Sequence, residues 1–234
     1  MNTPKSVSEI KAFARAMLPG HYTTAIAASL ISDGLYLSLM LMVSPMTTSA
    51  FATALSFMMY IILQLLMGIL DAGSAFLYMN IIYRQRSNVS DIFHNFKEQP
   101  DKAIRLQLLF VIIGSACYLP MYIYILASGD SYSFATRFVL MLIGYAAAFI
   151  IRLQFSQVFY LLQDFPGQDT RSLISGSVRL MQGNILRLLM LTLSFIPLFI
   201  VSALTFFIPM LWLGTYYRAS LAAFYSDLME ARSK

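Results

Sequence analysis

The sequence predicts an all-α, polytopic integral membrane protein, and its composition and apolar segments are the basis of that prediction. Apolar residues make up 59% of the 234-residue chain and charged residues only 12%, whereas soluble domains average about 45–50% and about 25%. Apolar stretches long enough to cross a hydrocarbon layer of roughly 30 Å as helices recur along the chain. This composition nearly excludes soluble enzymes and nucleic-acid-binding proteins, although the isoelectric point is about 9.3.

Six transmembrane helices are predicted in residues 21–228, as parts of one membrane domain that covers residues 1–234. The first four are assigned to residues 21–43, 50–83, 103–127 and 135–163, and residues 184–228 are long enough for a closing pair. At 1.5 Å per residue the second span would measure about 50 Å. We therefore expect it to tilt, to project beyond the bilayer, or to bend near Asp71. Residues 44–49 are expected to form an external turn.

Two or three amphipathic helices are expected to lie in the membrane interface beside these spans. Residues 1–20 carry an apolar stripe, and Ser6 and Glu9 have the spacing of a capping box at its start. Shorter amphipathic segments occur at residues 90–96 and 170–181. We expect the apolar faces of these helices to insert into the membrane surface.

The distribution of lysine and arginine predicts the orientation of the chain. Basic residues concentrate in the N-terminal segment, in the loops after the second and fourth spans, and in the tail at residues 229–234. Arg137, at the start of the fourth span, is the one basic residue assigned to the external side. Because basic loops stay on the cytoplasmic side, both termini are predicted to be cytoplasmic in a multi-pass protein of the cytoplasmic (cell) membrane.

Four charged residues are predicted to lie deep within the spans, away from the loops, namely Asp33, Asp71, Arg152 and Arg218. A charge near the bilayer centre costs at least about 2.5–3.5 kcal/mol, so such residues normally pair with one another or contact water. Helical rise places Asp33 and Arg152 at overlapping depths, which allows a salt bridge between them. The four residues either line a polar crevice for a ligand or neutralise one another in a purely structural role.

Sequence signatures of catalysis and of metal binding are missing. The chain contains no HExxH, GxxxxGK, GxGxxG or GxSxG motif. Cys117, His21 and His94 are too few and too scattered to form a Cys/His metal cluster. We therefore expect a protein that is not an enzyme and that uses neither a cofactor nor a metal.

The first functional hypothesis is a non-enzymatic scaffold or accessory subunit at the inner face of the membrane. Its contacts with membrane lipids or with a membrane protein partner are assigned to Lys5, Lys11, Arg15, Arg84 and Arg86. The alternative is a small transporter or lipid-handling protein that uses the polar intramembrane crevice. Nucleic acid is not an expected partner. The small residues Gly144 and Ala148 suit close helix contacts within one chain or between chains, so the oligomeric state stays open.

Short motifs spread over nearly the whole chain carry a family resemblance. They include Ser6-Val7-Ser8-Glu9-Ile10-Lys11, Ser90-Asp91-Ile92-Phe93, Phe159-Tyr160-Leu161-Leu162 and Ala223-Phe224-Tyr225. In their order and spacing the chain resembles the domain of unknown function 975 family of bacterial integral membrane proteins. The resemblance implies a multi-pass membrane fold and transfers no mechanism. Where the family often has proline, this chain has Thr215 and lacks a Pro-Gly break before Arg152, so we expect straighter fourth and sixth spans.

Overall fold

The chain folds into helices throughout the part that the structure describes. The computed structural model describes residues 5–43, 50–128, 133–205 and 208–232. Within these ranges no β-strand occurs, and the predicted all-α class is confirmed. The helices are α1 (Val7–Met17), α2 (Tyr22–Val43), α3 (Ala50–Ile82), a 3-10 helix (Val89–Phe93), α4 (His94–Lys97), α5 (Pro100–Ser128), α6 (Phe134–Phe155), α7 (Val158–Asp164), α8 (Thr170–Met181), α9 (Ile185–Leu193), α10 (Ile196–Leu204) and α11 (Met210–Arg232).

Five segments among the described residues are long and apolar enough to cross a membrane. They are Tyr22–Leu41, Leu55–Ile82, Pro100–Ile125, Phe134–Asp164 and Ile185–Leu204. These segments correspond to the first four predicted spans and to the first helix of the closing pair. The predicted sixth span, α11, is not among them, because tyrosine, serine and charged side chains lower its hydropathy. The structure therefore gives five candidate spans where the sequence predicts six.

The first two spans pair in an antiparallel arrangement. The Ser29 hydroxyl is hydrogen-bonded to the Tyr78 hydroxyl at 3.0 Å, and the Gln64 amide donates to the Tyr36 hydroxyl at 3.2 Å. Residues further along α2 thus contact residues that come earlier in α3, as expected for antiparallel helices. The predicted external turn that joins the two helices, residues 44–49, lies outside the described residues.

Helix α3 is continuous, and two of its glycines let neighbouring elements come close. A Cβ added at Gly73 would overlap the backbone of Ile92 in the 3-10 helix, and one at Gly68 would overlap the side chain of Gln107 in α5. The helix does not break near Asp71. Its 33 residues measure about 50 Å at helical rise, which exceeds a bilayer with headgroups of roughly 40–45 Å.

The fourth predicted span is interrupted near its end. Helix α6 ends at Phe155, and α7 begins after a turn at Ser156 and Gln157. The Ser156 hydroxyl donates to the carbonyl of Leu153 at 2.8 Å, a local bond that competes with the regular helix pattern. The turn lies beyond residues 146–152, where the family often has a Pro-Gly break and where α6 is continuous, and α11 is also one continuous helix. That these two spans are straighter than in the family stays a prediction.

The hydrophobic core lies mainly at one end of the helix bundle, here called the packed end. It consists of α1, the segment from residue 83 through the 3-10 helix and α4, the N-terminal ends of α5 and α9, α7, α8, and the C-terminal halves of α3 and α11. Its fully buried side chains include Leu77, Ile81, Ile92, Leu162, Phe224 and Tyr225. At the opposite, open end, large apolar side chains are exposed, among them Leu41, Phe51, Ile123, Phe134 and Leu204. Contiguous apolar surface of this kind suits contact with lipid better than contact with water.

Helix α1 is an integral part of the packed end. Ser6 and Glu9 form the predicted capping box. Ile10, Ala14 and Leu18, which belong to the predicted apolar stripe, are at most 1% exposed and α1 packs against α11, α3 and α9. Other helices of the protein therefore cover these three residues, which are not available for insertion into the membrane surface. Phe13 and Met17 of the same stripe are only partly buried, and an interfacial position of α1 stays a prediction.

Candidate functional site

The four charged residues predicted within the spans lie close together, although α2, α3, α6 and α11 each contribute one of them. The guanidinium of Arg218 donates to the carboxylate of Asp33 at 2.7 Å and to the hydroxyl of Ser29 at 2.9 Å. Asp71 interacts electrostatically with Arg218 and Arg152, and at like charge with Asp33. The direct partner of Asp33 is therefore Arg218, and not Arg152. We call these four residues the charge cluster.

A hydrogen-bonded tyrosine extends the charge cluster and ties three helices together. Ser29 accepts from Arg218 on α11 and is also bonded to the hydroxyl of Tyr78 on α3. Tyr78 is almost fully buried. Sequence reasoning missed Ser29 and Tyr78, because neither side chain is charged. The four-residue spacing of Ser29 and Asp33, which puts both on one face of α2, was the available signal.

The charge cluster is accessible even though the surrounding helices are closely packed. The side chain of Asp33 is 64% exposed and that of Arg218 is 32% exposed. Asp71 is exposed as well, whereas Met67 and Ala75, four residues away on the same face of α3, are buried. An exposed side chain between two buried turns indicates an opening between helices. The charge cluster therefore lines a crevice in the bundle.

Asp71 and Arg152 attract each other without direct contact. Among the described residues neither side chain takes part in an ion pair or a hydrogen bond. The guanidinium carbon of Arg152 lies 5.3 Å from the ring centroid of Phe110, within the range of a cation–π contact. The charge cluster thus contains one closed ion pair, Asp33–Arg218, and one open pair of opposite charges.

A further phenol group lies near the charge cluster. Tyr160 on α7 is within electrostatic range of Asp71 and Arg218, and its side chain is buried. A phenol hydroxyl both donates and accepts hydrogen bonds. Carboxylates, guanidinium groups and phenol hydroxyls therefore lie within one small region of the bundle.

The charge cluster does not have the composition of a metal site. No group of three or more His, Cys, Asp or Glu side chains comes together among the described residues. The two carboxylates of the charge cluster interact with arginines. His94 stacks on Phe76 with 3.9 Å between ring centroids and lies 3.5 Å from Glu98, on a different part of the chain.

A second ionic group joins the two ends of the described chain. The guanidinium of Arg187 donates to the Asp227 carboxylate at 2.7 Å and to the Lys5 carbonyl at 2.6 Å. The Lys5 amide donates to Asp227 at 3.2 Å, and its ammonium pairs with Glu230 at 3.0 Å. The side chain of Asp227 is only 6% exposed. These bonds fix the beginning of α1 to the last turns of α11 at the packed end.

Basic residues of α1 that were predicted to contact lipids or a partner are engaged inside the protein. The Lys11 ammonium donates to the carbonyl and hydroxyl of Ser194 at 3.4 and 3.2 Å. Burial, together with repulsion from Arg15, lowers the pKa of Lys11. Arg15 donates to the Tyr216 hydroxyl at 3.4 Å. With Lys5 these residues hold α1 in place, and their contact with lipid or partner stays a prediction.

Arg84 and Arg86 lie on the surface after α3. Arg84 contacts the sulfur of Met17 at 3.4 Å, and both arginines are exposed. Phe93, at the end of the following 3-10 helix, and Phe96, on α4, are exposed as well, and their ring centroids lie 6.0 Å apart. This combination of basic and aromatic side chains is typical of a surface that meets a membrane.

A pocket of about 180 Å³ opens between α7, α8 and α11. Much of its lining is apolar, with Leu161, Leu173 and Leu180 among the lining residues. The guanidinium of Arg232, which also lines the pocket, already donates to the Arg179 carbonyl at 2.8 Å. The pocket offers less recognition chemistry than the charge cluster.

The helical bundle, its five segments that are long and apolar enough to cross a membrane, and its charge cluster together define a class of all-α proteins with polar side chains gathered between apolar helices. Within that class, the family model for proteins of unknown function named DUF975 matches residues 1–232. The chain belongs to the DUF975 family, which confirms the resemblance predicted from the short motifs. The search of curated proteins and the search of solved structures each gave no match.

Proposed function

We propose that the protein is a multi-pass protein of the bacterial cytoplasmic membrane that binds a polar ligand in the crevice of the charge cluster, as a small transporter or lipid-handling protein. The supporting observation is the convergence of Asp33, Asp71, Arg152 and Arg218 from four helices. Charged side chains within a membrane are costly, and they commonly mark pathways or binding sites. The proposed role is non-enzymatic.

Ligand binding accounts for the geometry better than mutual neutralisation does. Neutralisation would bring each acid into contact with a base and exclude water, because an unpaired buried charge is strongly destabilising. Only Asp33 and Arg218 make such a contact. Asp71 and Arg152 stay apart while both are exposed, which is the arrangement of a site that admits a further polar group.

Six membrane crossings with cytoplasmic termini are part of this proposal. The contact between Lys5 and Glu230 joins both ends of the described chain at the packed end, and this contact supports an even number of crossings. Helix α11 then supplies the sixth crossing after the five candidate spans. Arg84, Arg86 and Lys102 also belong to the packed end, and the positive-inside rule supports a cytoplasmic location for it.

A scaffold or accessory subunit at the inner face is the second candidate function. The exposed Arg84, Arg86, Phe93 and Phe96 support it, because they could bind anionic headgroups or a membrane protein partner. The engagement of Lys5, Lys11 and Arg15 within the protein weakens it. This surface is separate from the crevice, so the two functions can be tested independently.

The test is to extract the full-length protein in native lipid particles and to identify bound molecules by native mass spectrometry. We expect a stoichiometric small molecule or lipid in the wild type. The variants Asp71→Asn and Arg152→Gln should lose it. The matched controls Asp101→Asn and Arg105→Gln, which change exposed residues near the start of α5, should retain it.

Two results would argue against ligand binding in the crevice. One is a folded wild type that retains no stoichiometric ligand, and the other is a ligand that the crevice variants and the controls retain equally. A protein partner that is lost on replacing Arg84 and Arg86 by glutamine, with no ligand in the crevice, would favour the scaffold.

A further inference from the structure

We infer that the ligand of the crevice is zwitterionic, with a cationic group that binds Asp71 and an anionic group that binds Arg152. The inference rests on the proposed function, and it specifies the ligand class. Its basis is the difference between the closed pair Asp33–Arg218 and the open pair Asp71 and Arg152.

The charges of the cluster define what a ligand must supply. Asp33 and Arg218 are in direct contact at 2.7 Å and largely satisfy each other. Asp71 and Arg152 leave one negative and one positive charge without a hydrogen bond or an ion pair among the described residues. A purely anionic or purely cationic ligand would compensate one of these charges and leave the other unpaired. A zwitterion compensates both.

The chemistry of the two side chains fixes the orientation of that ligand. A guanidinium presents a planar set of donors that matches carboxylate and phosphate groups. The contact of Arg152 with Phe110, 5.3 Å from the guanidinium carbon to the ring centroid, restricts the position of this guanidinium. The Asp71 carboxylate accepts hydrogen bonds from an ammonium group. The nearby Arg218 repels that ammonium from the closed pair and favours its approach to Asp71.

Two sources provide this chemistry, a zwitterionic lipid headgroup such as phosphoethanolamine on a lipid, and a free zwitterion in water. The shared feature is a primary ammonium separated by a short linker from a phosphate or carboxylate. The crevice opens between helices whose outer faces are apolar, at Leu30 and Leu66 for example. Lipid and water therefore each have a route to it, and the experiment must separate them.

The experiment measures binding to the full-length protein in nanodiscs of phosphatidylglycerol, an anionic lipid without an ammonium group. The soluble probes are phosphoethanolamine, ethanolamine and inorganic phosphate, and the lipid probe is phosphatidylethanolamine mixed into the nanodisc at increasing fractions. The readouts are the melting temperature and native mass spectrometry. We expect phosphoethanolamine or phosphatidylethanolamine to bind at least about tenfold more tightly than ethanolamine or phosphate. Ethanolamine and phosphate each lack one of the two charged contacts, and a tenfold loss of affinity corresponds to about 1.4 kcal/mol.

Variants locate the binding. Asp71→Asn and Arg152→Gln should each weaken zwitterion binding at least about tenfold, while Asp101→Asn and Arg105→Gln leave it unchanged. If a crevice variant does not fold, the comparison among probes on the wild type still decides the ligand class. Binding of the lipid alone assigns the site to a headgroup, and binding of phosphoethanolamine alone assigns it to a soluble zwitterion.

The outcomes that overturn the inference differ from those that overturn the proposed function. If phosphate or ethanolamine alone binds as tightly as the zwitterion and the crevice variants abolish that binding, the ligand class is wrong and the crevice remains a binding site. If none of the probes binds and the wild type retains no ligand from native membranes, both the inference and the proposed function are wrong.

Discussion

The two ends of the helix bundle are held together in different ways. At the packed end, side chains such as Leu77 and Phe224 are fully buried, and Arg187 bonds to Asp227 and to the backbone of Lys5. At the open end most large side chains are exposed, and close contacts such as that of Gly144 with Cys117 join helices through small residues. The contrast indicates that tertiary interactions within the chain stabilise the packed end most.

The charge cluster lies where one kind of packing gives way to the other. Arg218 precedes Asp227 by nine residues on α11, or about 14 Å at helical rise. From Ala219 to Leu228 nearly every residue of α11 is buried, whereas Leu211 and Trp212 before Arg218 are exposed. The crevice therefore opens at the edge of the well-packed region, which positions its side chains rigidly while keeping them accessible.

The largest expected effect comes from filling the space of a glycine at the packed end. Gly73→Leu places a side chain where even a Cβ would overlap the backbone of Ile92, so we expect a loss of more than about 3 kcal/mol in the free energy of unfolding, or no folded protein. Gly34→Leu is the control, because no atom lies within 4 Å of a Cβ at Gly34 and leucine favours a helix over glycine by up to about 1 kcal/mol. Unfolding in mixed micelles measures both, and equal losses would contradict the comparison.

Breaking the ionic group at the packed end should have the next largest effect. Arg187→Met leaves the nearly buried carboxylate of Asp227 and the carbonyl of Lys5 without their guanidinium donor, and we expect a cost of about 3 kcal/mol. Lys5→Met removes an exposed contact with Glu230 and should cost less than about 1 kcal/mol. The melting temperatures of the two variants in nanodiscs separate these values. A loss for Lys5→Met as large as that for Arg187→Met would show that burial does not set the difference.

The smallest effect on stability is expected in the crevice. Asp33→Asn removes the charge of a carboxylate that is mostly exposed, and water screens such a pair, so we expect a cost of less than about 1 kcal/mol. The melting temperature of Asp33→Asn in nanodiscs, compared with that of Arg187→Met, checks this value. A cost near 3 kcal/mol would place Asp33 in a dry structural ion pair and remove the basis for an accessible crevice.

Elements with a strong local signal could be predicted from the sequence. Helix α8 is observed at Thr170–Met181 and α2 begins at Tyr22, as predicted or within one residue, because turn residues before each helix fix such bounds locally. The capping box of Ser6 and Glu9 and the close contact at Gly144 and Ala148 are also confirmed. Local chemistry suffices for these features.

Features that depend on which helices are neighbours could not be predicted. The position of a residue along a span gives its depth, and depth alone did not distinguish Arg152 from Arg218 as the partner of Asp33. An apolar stripe looks the same whether lipid or protein covers it, so the burial of Ile10 and Ala14 required the structure. The break after α6 depends on a hydroxyl of Ser156 that turns back to the preceding carbonyl.

The central claim, a water-filled crevice at the charge cluster, is tested most directly by thiol accessibility. In a Cys117→Ala background, single cysteines replace Asp71 and Leu66, which both lie on α3 and are both exposed. A charged, membrane-impermeant methanethiosulfonate reacts only with thiols that water reaches. The account predicts rapid labelling of Asp71→Cys in native membranes and none of Leu66→Cys, which faces lipid. Equal protection of both positions, in protein that remains folded, would contradict the account.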